Sequence, residues 1–184
     1  MSILQSFDLS GKKAIVTGGG RGLGKAIAEG LCQAGASVVL VGSSDSVFST
    51  AKEFNKKGYI AYPIKGNLEN ADMVTEIFTQ SLAKLDGKID ILVNNAGIIR
   101  RHKCEEFPLE DWNAVMQVNL NAVFILCKLT GREMLKQGYG KIINLALVWR
   151  LDVHHRAYVA QLELREQSAT HECEIKEKLL QSHM

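Results

Sequence analysis

Short runs of apolar residues alternate with longer segments of helical periodicity along the first 146 residues. The pattern predicts β-strands that are apolar throughout, at residues 13–17, 37–41, 59–65, 89–93 and 141–146. It predicts helices between them, at residues 22–34, 46–57, 71–85 and 109–136. Apolar strands that alternate with helices are typical of a parallel sheet covered on both faces. Because crossover connections are right-handed, we expect an α/β fold with a doubly wound parallel sheet.

The pattern changes after Ala146. Residues 148–184 contain no Gly and no Pro but many charged side chains, and they indicate no sixth or seventh strand. Their second half predicts one polar helix with a thin apolar stripe. We therefore expect one domain over residues 1–146, with a sheet that is incomplete at its C-terminal side. Residues 147–184 are expected to form a divergent, helical tail.

The segment between the first strand and the first helix is rich in glycine, and it spans residues 17–24. A pyrophosphate needs close approach of the backbone, and Gly18 and Gly22 leave that room because they have no side chain. A helix N-terminus favours an anion, and Gly24 lets the helix pack closely on the sheet. The loop thus predicts a Rossmann-type dinucleotide site, with a tight turn that binds nothing as the alternative. The predicted cofactor-binding residues here are Gly18, Arg21, Gly22, Leu23 and Gly24.

The residue at the end of the second strand bears on the choice of cofactor. An acidic residue there binds the adenosine ribose 2′-hydroxyl and repels a 2′-phosphate. This chain has Val41-Gly42-Ser43-Ser44, so no carboxylate occupies the position and Ser43 is expected to border the cofactor. Arg21 is suited to pair with a phosphate, or else is a solvated loop arginine. The sequence permits NADP and leaves NAD open.

Charge and cysteine usage narrow the function classes. A formal net charge of +2 is too small to favour a nucleic acid or an anionic membrane as a partner. The four cysteines stand far apart and predict reduced thiols, and the histidines match no metal-binding spacing. The first residues show no signal-peptide pattern. We expect a cytoplasmic protein with no metal, no nucleic acid and no membrane among its partners.

Two further segments point to a family. Asn94-Asn95-Ala96-Gly97 follows the fourth strand, and Asn119 stands within the last predicted helix. Together with the spacing Thr17-Gly-x-x-x-Gly-x-Gly24, they resemble the short-chain dehydrogenase/reductase family over residues 7–146. The resemblance implies an NAD(P)-dependent oxidoreductase. Segments 94–101, 106–107, 111–112 and 140–144 are similar to the family's dehydrogenases of gluconate-type sugar acids, which are soluble and form homo-oligomers, usually tetramers.

The resemblance also implies roles for individual residues near the cofactor. Asn95, Ala96 and Gly97 would border its adenine side. Asn67, followed by Leu68, stands where the family usually has an aspartate that faces the adenine ring. An amide still forms hydrogen bonds with the ring, so we expect only a mild effect on affinity.

Three residues are candidates for chemistry or substrate binding. In the family, the asparagine at Asn119 supports a water relay to the catalytic lysine, so Asn119 is the predicted catalytic residue. Its alternative role is an amide satisfied by neighbouring backbone. Arg100 and Arg101 follow the adenine segment, and either is suited to bind a sugar-acid carboxylate through two parallel hydrogen bonds. The alternative for both is a surface loop pair.

The catalytic residues of the family are absent from the expected positions. Members follow the fifth strand with a serine and, about a dozen residues later, a Tyr-x-x-x-Lys motif. Here Leu147 follows Ala146, and Tyr158 is followed four positions later by Leu162. Two hypotheses remain. The first is an NAD(P)-dependent oxidoreductase for a sugar acid, and the second is an inactive, truncated dinucleotide-binding or interaction protein in which oligomer formation is doubtful.

Overall fold

A computed structural model of the protein describes residues 7–146. Within these residues the strands are β1 (Lys13–Thr17), β2 (Ser37–Gly42), β3 (Ala61–Lys65), β4 (Ile91–Asn94) and β5 (Lys141–Asn144). The helices are α1 (Gly22–Gln33), α2 (Ser46–Lys56), α3 (Ala71–Lys84), α4 (Leu109–Met116) and α5 (Ala122–Gln137). A 3₁₀ turn, Cys104–Glu106, precedes α4, and a π-helical turn, Gln117–Asn121, joins α4 to α5. The expectations for Leu147, Tyr158, Leu162 and the helical tail lie outside the described residues.

All of the described strands lie in one sheet, in the order β3-β2-β1-β4-β5, and every neighbouring pair is parallel. The register places Ile15 of β1 beside Val39 of β2 on one side and Leu92 of β4 on the other. The direction of winding reverses between β1 and β4, which leaves a crevice at the carboxyl ends of these strands. The predicted doubly wound parallel sheet is therefore confirmed.

Alternate residues of each strand face opposite layers of helices. Ala14 and Val16 are buried in a core with Phe54 of α2. Ile15 is buried in a second core with Ile77 of α3 and Leu126 of α5. Both faces of the sheet are thus covered, which is why the strands are apolar throughout rather than alternating. This two-sided burial fixes the positions of the loops at the carboxyl ends of the strands.

Some element boundaries differ from the sequence prediction. The third strand begins at Ala61 rather than at Tyr59, because Tyr59 lies in the turn that follows α2: its N–H donates to the Phe54 carbonyl over 3.1 Å. The fourth strand begins at Ile91, and the fifth ends at Asn144. The single helix predicted over residues 109–136 contains the π-helical turn. The prediction of one continuous helix did not include this turn.

The helical segment from Leu109 to Gln137 has a mean hydropathy of 1.3 in its most apolar stretch, so length and composition alone would allow it to cross a membrane. The sequence pattern did not indicate this. In the structure, Ala122, Leu126 and Met134 are buried against the rest of the domain, whereas Phe124 is 65% exposed. A helix that packs on a sheet passes the same test of composition, so the segment is weak support for a membrane span.

Strand β5 forms one edge of the sheet within residues 7–146. It pairs with β4, and the side chains of Ile143 and Leu145 on it and just beyond it are exposed. The other edge is β3, where Pro63 lacks a backbone N–H and so limits further strand pairing. The crevice between β1 and β4 lies in the interior of the sheet, away from both edges.

Candidate functional site

A cavity of about 450 Å³ opens at the carboxyl ends of β1, β2 and β4. The structure brings together here every residue that the sequence analysis placed against a cofactor. These are Gly18, Arg21, Gly22, Leu23, Gly24, Ser43, Asn67, Leu68, Asn95, Ala96 and Gly97. Six further residues line the same cavity: Gly20, Gly42, Ser44, Ser46, Gly66 and Ile98.

The loop between β1 and α1, residues 18–22, lies directly against the segment that follows β4. A Cβ atom on Gly18, whose φ is +67°, would lie 2.7 Å from Asn95 Nδ2 and 3.2 Å from Ala96 Cα. A Cβ atom on Gly24 would overlap both the Gly18 carbonyl and the Asn95 amide. Backbone thus packs on backbone, and larger residues at Gly18 and Gly24 would separate the two segments. The same absence of side chains leaves room for a ligand's phosphates.

A buried hydroxyl joins these two segments. Thr17 is 1% exposed, and its Oγ1 accepts hydrogen bonds from the N–H groups of Asn95 and Ala96, each over 3.0 Å. The same hydroxyl donates to the Val93 carbonyl over 3.3 Å. In return, Asn95 Nδ2 donates to the Thr17 carbonyl over 3.0 Å. The last residue of β1 and the first residues after β4 are therefore held in one network.

The start of α1 points unpaired N–H groups at the cavity. The first hydrogen bond of the helix runs from the Lys25 N–H to the Arg21 carbonyl over 3.2 Å. The helix therefore supplies no backbone acceptor for the N–H groups of Gly22, Leu23 and Gly24. The first turn carries no acidic residue that would satisfy or neutralise them. This end of the helix is thus available to a bound anion.

The end of β2 presents hydroxyl groups rather than a carboxylate. Ser43, Ser44 and Ser46 line the cavity, and the hydroxyl oxygens of Ser44 and Ser46 lie 2.8 Å apart. The neighbouring Asp45 is outside the lining, and its carboxylate pairs with Lys65 Nζ at 2.8 Å. This acid is paired with a lysine and lies outside the cavity lining, which makes the corner compatible with a phosphate.

The loop after β3 forms another wall of the cavity. Asn67 Oδ1 accepts a hydrogen bond from the Glu69 N–H over 3.0 Å, so the amide presents its Nδ2 group as a donor. An aspartate at this position would present only acceptors. Gln117, from the π-helical turn, donates to the Leu68 carbonyl over 3.3 Å and holds this wall in place.

Asn119 lies in the same π-helical turn, outside the cavity lining. Its Oδ1 accepts from the Ile98 N–H, and its Nδ2 donates to the Ile98 carbonyl, both over 2.9 Å. Both ends of the amide are therefore engaged with backbone, and Asn119 fixes the position of a cavity residue. The catalytic role of Asn119 remains a prediction. Because the side-chain amide is engaged with Ile98, that role would belong to the backbone groups of Asn119.

The two arginines beyond Ile98 have different surroundings. Arg100 Nε lies 3.3 Å from Asp111 Oδ1, and its Nη2 lies 3.8 Å from Glu69 Oε1. A ligand carboxylate would have to compete with both acids for Arg100. Arg101 is exposed and forms no ion pair with any residue between 7 and 146. Of the two, Arg101 is the more accessible to a substrate, and substrate binding by either remains a prediction.

Several of these residues gave little signal in the sequence. Ser44 and Ser46 follow Ser43, and Gly66 precedes Asn67, so proximity to predicted residues was the only indication. Ile98 becomes a site residue only through its contact with Asn119, which is distant in sequence.

Among residues 7–146, no group of three or more His, Cys, Asp or Glu side chains is arranged to hold a metal ion.

The chain is similar in sequence to known proteins of one family. The model of the short chain dehydrogenase family matches residues 12–152. The 2-dehydro-3-deoxy-D-gluconate 5-dehydrogenase of Bacillus subtilis (strain 168) is 44% identical over 143 residues, which cover 77% of this chain and 55% of that protein. The gluconate 5-dehydrogenase of Gluconobacter oxydans (strain 621H) is 40% identical over 149 residues, which cover 80% of this chain and 58% of that protein.

One solved structure has a similar fold. It is a gluconate 5-dehydrogenase from Burkholderia cenocepacia J2315, in complex with NADP and tartrate. It superposes with a TM-score of 0.70 at 38% identity, over 78% of this chain and 56% of that one. The chain thus spans little more than half the length of the relatives it matches.

Gly24 and Gly30, two of the glycines of α1, differ in their surroundings and give a direct test of the loop geometry. Gly24→Ala should destabilise the fold by about 2 kcal/mol or more, because its Cβ would displace the Gly18 carbonyl or the Asn95 amide. Gly30→Ala is the matched control, since nothing lies within 4 Å of its Cβ, and it should stabilise the helix by about 1 kcal/mol. Urea unfolding of both variants measures these changes. Equal effects of the two substitutions would contradict the close packing described here.

Proposed function

The chain belongs to the short chain dehydrogenase family, and on that basis we propose that it binds NADP(H) in the cavity between β1 and β4 and serves as an oxidoreductase for a sugar acid. The observation that carries the proposal is the composition of the cavity. Glycine backbone and a helix N-terminus suit a pyrophosphate, and hydroxyl groups with Arg21 suit a further phosphate.

The residues present fit a dinucleotide cofactor. The close approach of Gly18, Gly24 and Asn95 forms a cradle that a single added Cβ would disrupt. The N-terminus of α1 would hold the pyrophosphate, and Leu68 and Ala96 would border the adenine side of the cofactor. When bound, a nicotinamide cofactor supplies the hydride chemistry of the family. The chain itself contributes binding and orientation through these backbone groups.

Three features support NADP(H) over NAD(H). Arg21 lines the cavity and makes no side-chain hydrogen bond as the N-cap of α1. Ser43 and Ser44 replace the carboxylate that would repel a 2′-phosphate. Asp45 is paired with Lys65, so its negative charge is compensated. The Burkholderia relative, solved with NADP, is consistent with this preference.

The sugar-acid substrate is supported by similarity and by one exposed side chain. Relatives that are 44% and 40% identical are dehydrogenases of 2-dehydro-3-deoxygluconate and gluconate. Each of these substrates carries a carboxylate, which an arginine binds through two parallel hydrogen bonds. Arg101 follows the cavity residue Ile98 by three positions and is exposed. We assign the substrate carboxylate to Arg101 on these grounds.

Removal of the Arg21 guanidinium tests the cofactor assignment. Arg21→Ala should raise the Kd for NADP(H) by about tenfold or more, because a charge-assisted pair with the 2′-phosphate is lost. The Kd for NAD(H) should change little, since NAD(H) lacks that phosphate. Isothermal titration calorimetry on folded protein measures both constants. Lys52→Ala is a control that removes one exposed positive charge outside the cavity lining.

Two outcomes of this titration would contradict the assignment. If the wild-type chain binds neither cofactor at millimolar concentration, the cavity is not a cofactor site. If Arg21→Ala weakens NADP(H) and NAD(H) equally, the 2′-phosphate is not recognised by this side chain.

A second titration tests the substrate class. With NADP present, the protein should bind gluconate, and Arg101→Ala should weaken that binding by about tenfold through loss of the carboxylate pair. Arg132→Ala, which removes an exposed arginine of α5, should leave the Kd for gluconate unchanged. Gluconate binding that is indifferent to Arg101→Ala would overturn the role assigned to this arginine. No binding of gluconate at all would remove the sugar-acid proposal.

A further inference from the structure

Thr50 of α2 contacts the loop between β1 and α1, residues 18–22, from outside the cavity. Its side chain is 3% exposed, and its Oγ1 donates a hydrogen bond to the Gly20 carbonyl over 2.9 Å. Gly20 lines the cavity, whereas Thr50 does not. The hydroxyl therefore acts on the loop without being available to a ligand.

This hydrogen bond sets the orientation of one peptide group. The peptide between Gly20 and Arg21 is trans, so its carbonyl and its N–H point in opposite directions. Because Thr50 holds the Gly20 carbonyl toward α2, the Arg21 N–H is directed away from α2. Arg21 itself is extended, with φ −161° and ψ 170°, so the orientation of this peptide determines where the Arg21 side chain begins.

The packing of α2 on the loop leaves no room for an alternative position. A Cβ atom on Gly20 would overlap Ser46 Oγ and would lie 3.0 Å from the Val47 nitrogen. A Cβ atom on Gly42 would likewise lie 2.9 Å from Val47 Cγ1. The loop is also fixed from β2, where the Gly19 N–H donates to the Val41 carbonyl over 3.0 Å. Thr50 supplies the directional contact within this close packing.

We propose that Thr50 is a positioning residue that sets the Gly20–Arg21 peptide and thereby the preference for NADP(H) over NAD(H). The inference rests on the proposed function, because it acts through the pairing of Arg21 with the 2′-phosphate. Thr50 lies six residues beyond Ser44, which follows β2, on a helix face that a hydrophobic pattern assigns to the core. Its buried hydroxyl needs an acceptor, and the acceptor that it has is a carbonyl of the cofactor loop.

The test pairs a substitution that preserves size with one that preserves the hydroxyl. Thr50→Val replaces the hydroxyl by a methyl group and should raise the Kd for NADP(H) by about tenfold, while the Kd for NAD(H) changes by no more than about twofold. Thr50→Ser retains the hydroxyl and should restore the wild-type preference. Calorimetric titration of both cofactors gives the ratio, and urea unfolding establishes that each variant is folded. A role limited to stability would not change the ratio of the two constants.

The possible results of these titrations separate the proposed function from the role of Thr50. If wild-type protein shows no preference for NADP(H), the proposed function fails, whatever Thr50 does. If wild-type protein has the preference and Thr50→Val retains it, the inference about Thr50 is wrong. If Thr50→Val does not fold, Thr50→Cys takes its place, since a thiol is a weaker donor. That variant should show an intermediate loss of preference, and an unchanged ratio would overturn the proposal.

Discussion

The hydroxyl of Thr17 is the constraint on which the site depends. It ends β1 with a buried oxygen that accepts two N–H groups of the segment after β4, while Asn95 returns a hydrogen bond to the Thr17 carbonyl. Leaving such a buried N–H group without a partner costs about 1–3 kcal/mol. The connections that leave these two paired strands run in different directions, because the winding of the sheet reverses there. Without the network, the loop that carries Gly18 and the segment that carries Ala96 would have no common anchor.

The remaining contacts hold the walls of the same crevice from its outer sides. The π-helical turn holds two walls, with Gln117 on the Leu68 carbonyl and Asn119 on the backbone of Ile98. Helix α2 holds the loop after β1 through Thr50. The electrostatics follow from this arrangement: the N-terminus of α1 and Arg21 face the cavity, while Asp45 is paired with Lys65. A negatively charged, extended ligand fits these walls better than a neutral one.

The sequence predicted the sheet and the cavity residues that carry a local signal. Gly18 and Gly24 could be identified because a glycine-rich turn between a strand and a helix has a physical reason that is local in sequence. Asn95, Ala96 and Gly97 could be identified only through family resemblance, because nothing in their local pattern requires a ligand. Thr50 and Ile98 could not be predicted, since their roles arise from contacts with residues 30 and 21 positions away. The π-helical turn was also not predicted, since the apolar pattern was interpreted as one continuous helix over residues 109–136.

The Thr17 hydroxyl joins two walls of the candidate cofactor site, to which Arg21 adds positive charge. The most direct measurement is the NADP(H) affinity of Thr17→Val beside that of Thr17→Ser, with urea unfolding of both variants. We expect the valine variant to lose more than about tenfold in affinity, because two N–H groups lose their acceptor, whereas the serine variant stays close to wild type. A folded Thr17→Val protein that binds NADP(H) as tightly as wild type would show that the site does not depend on this hydroxyl.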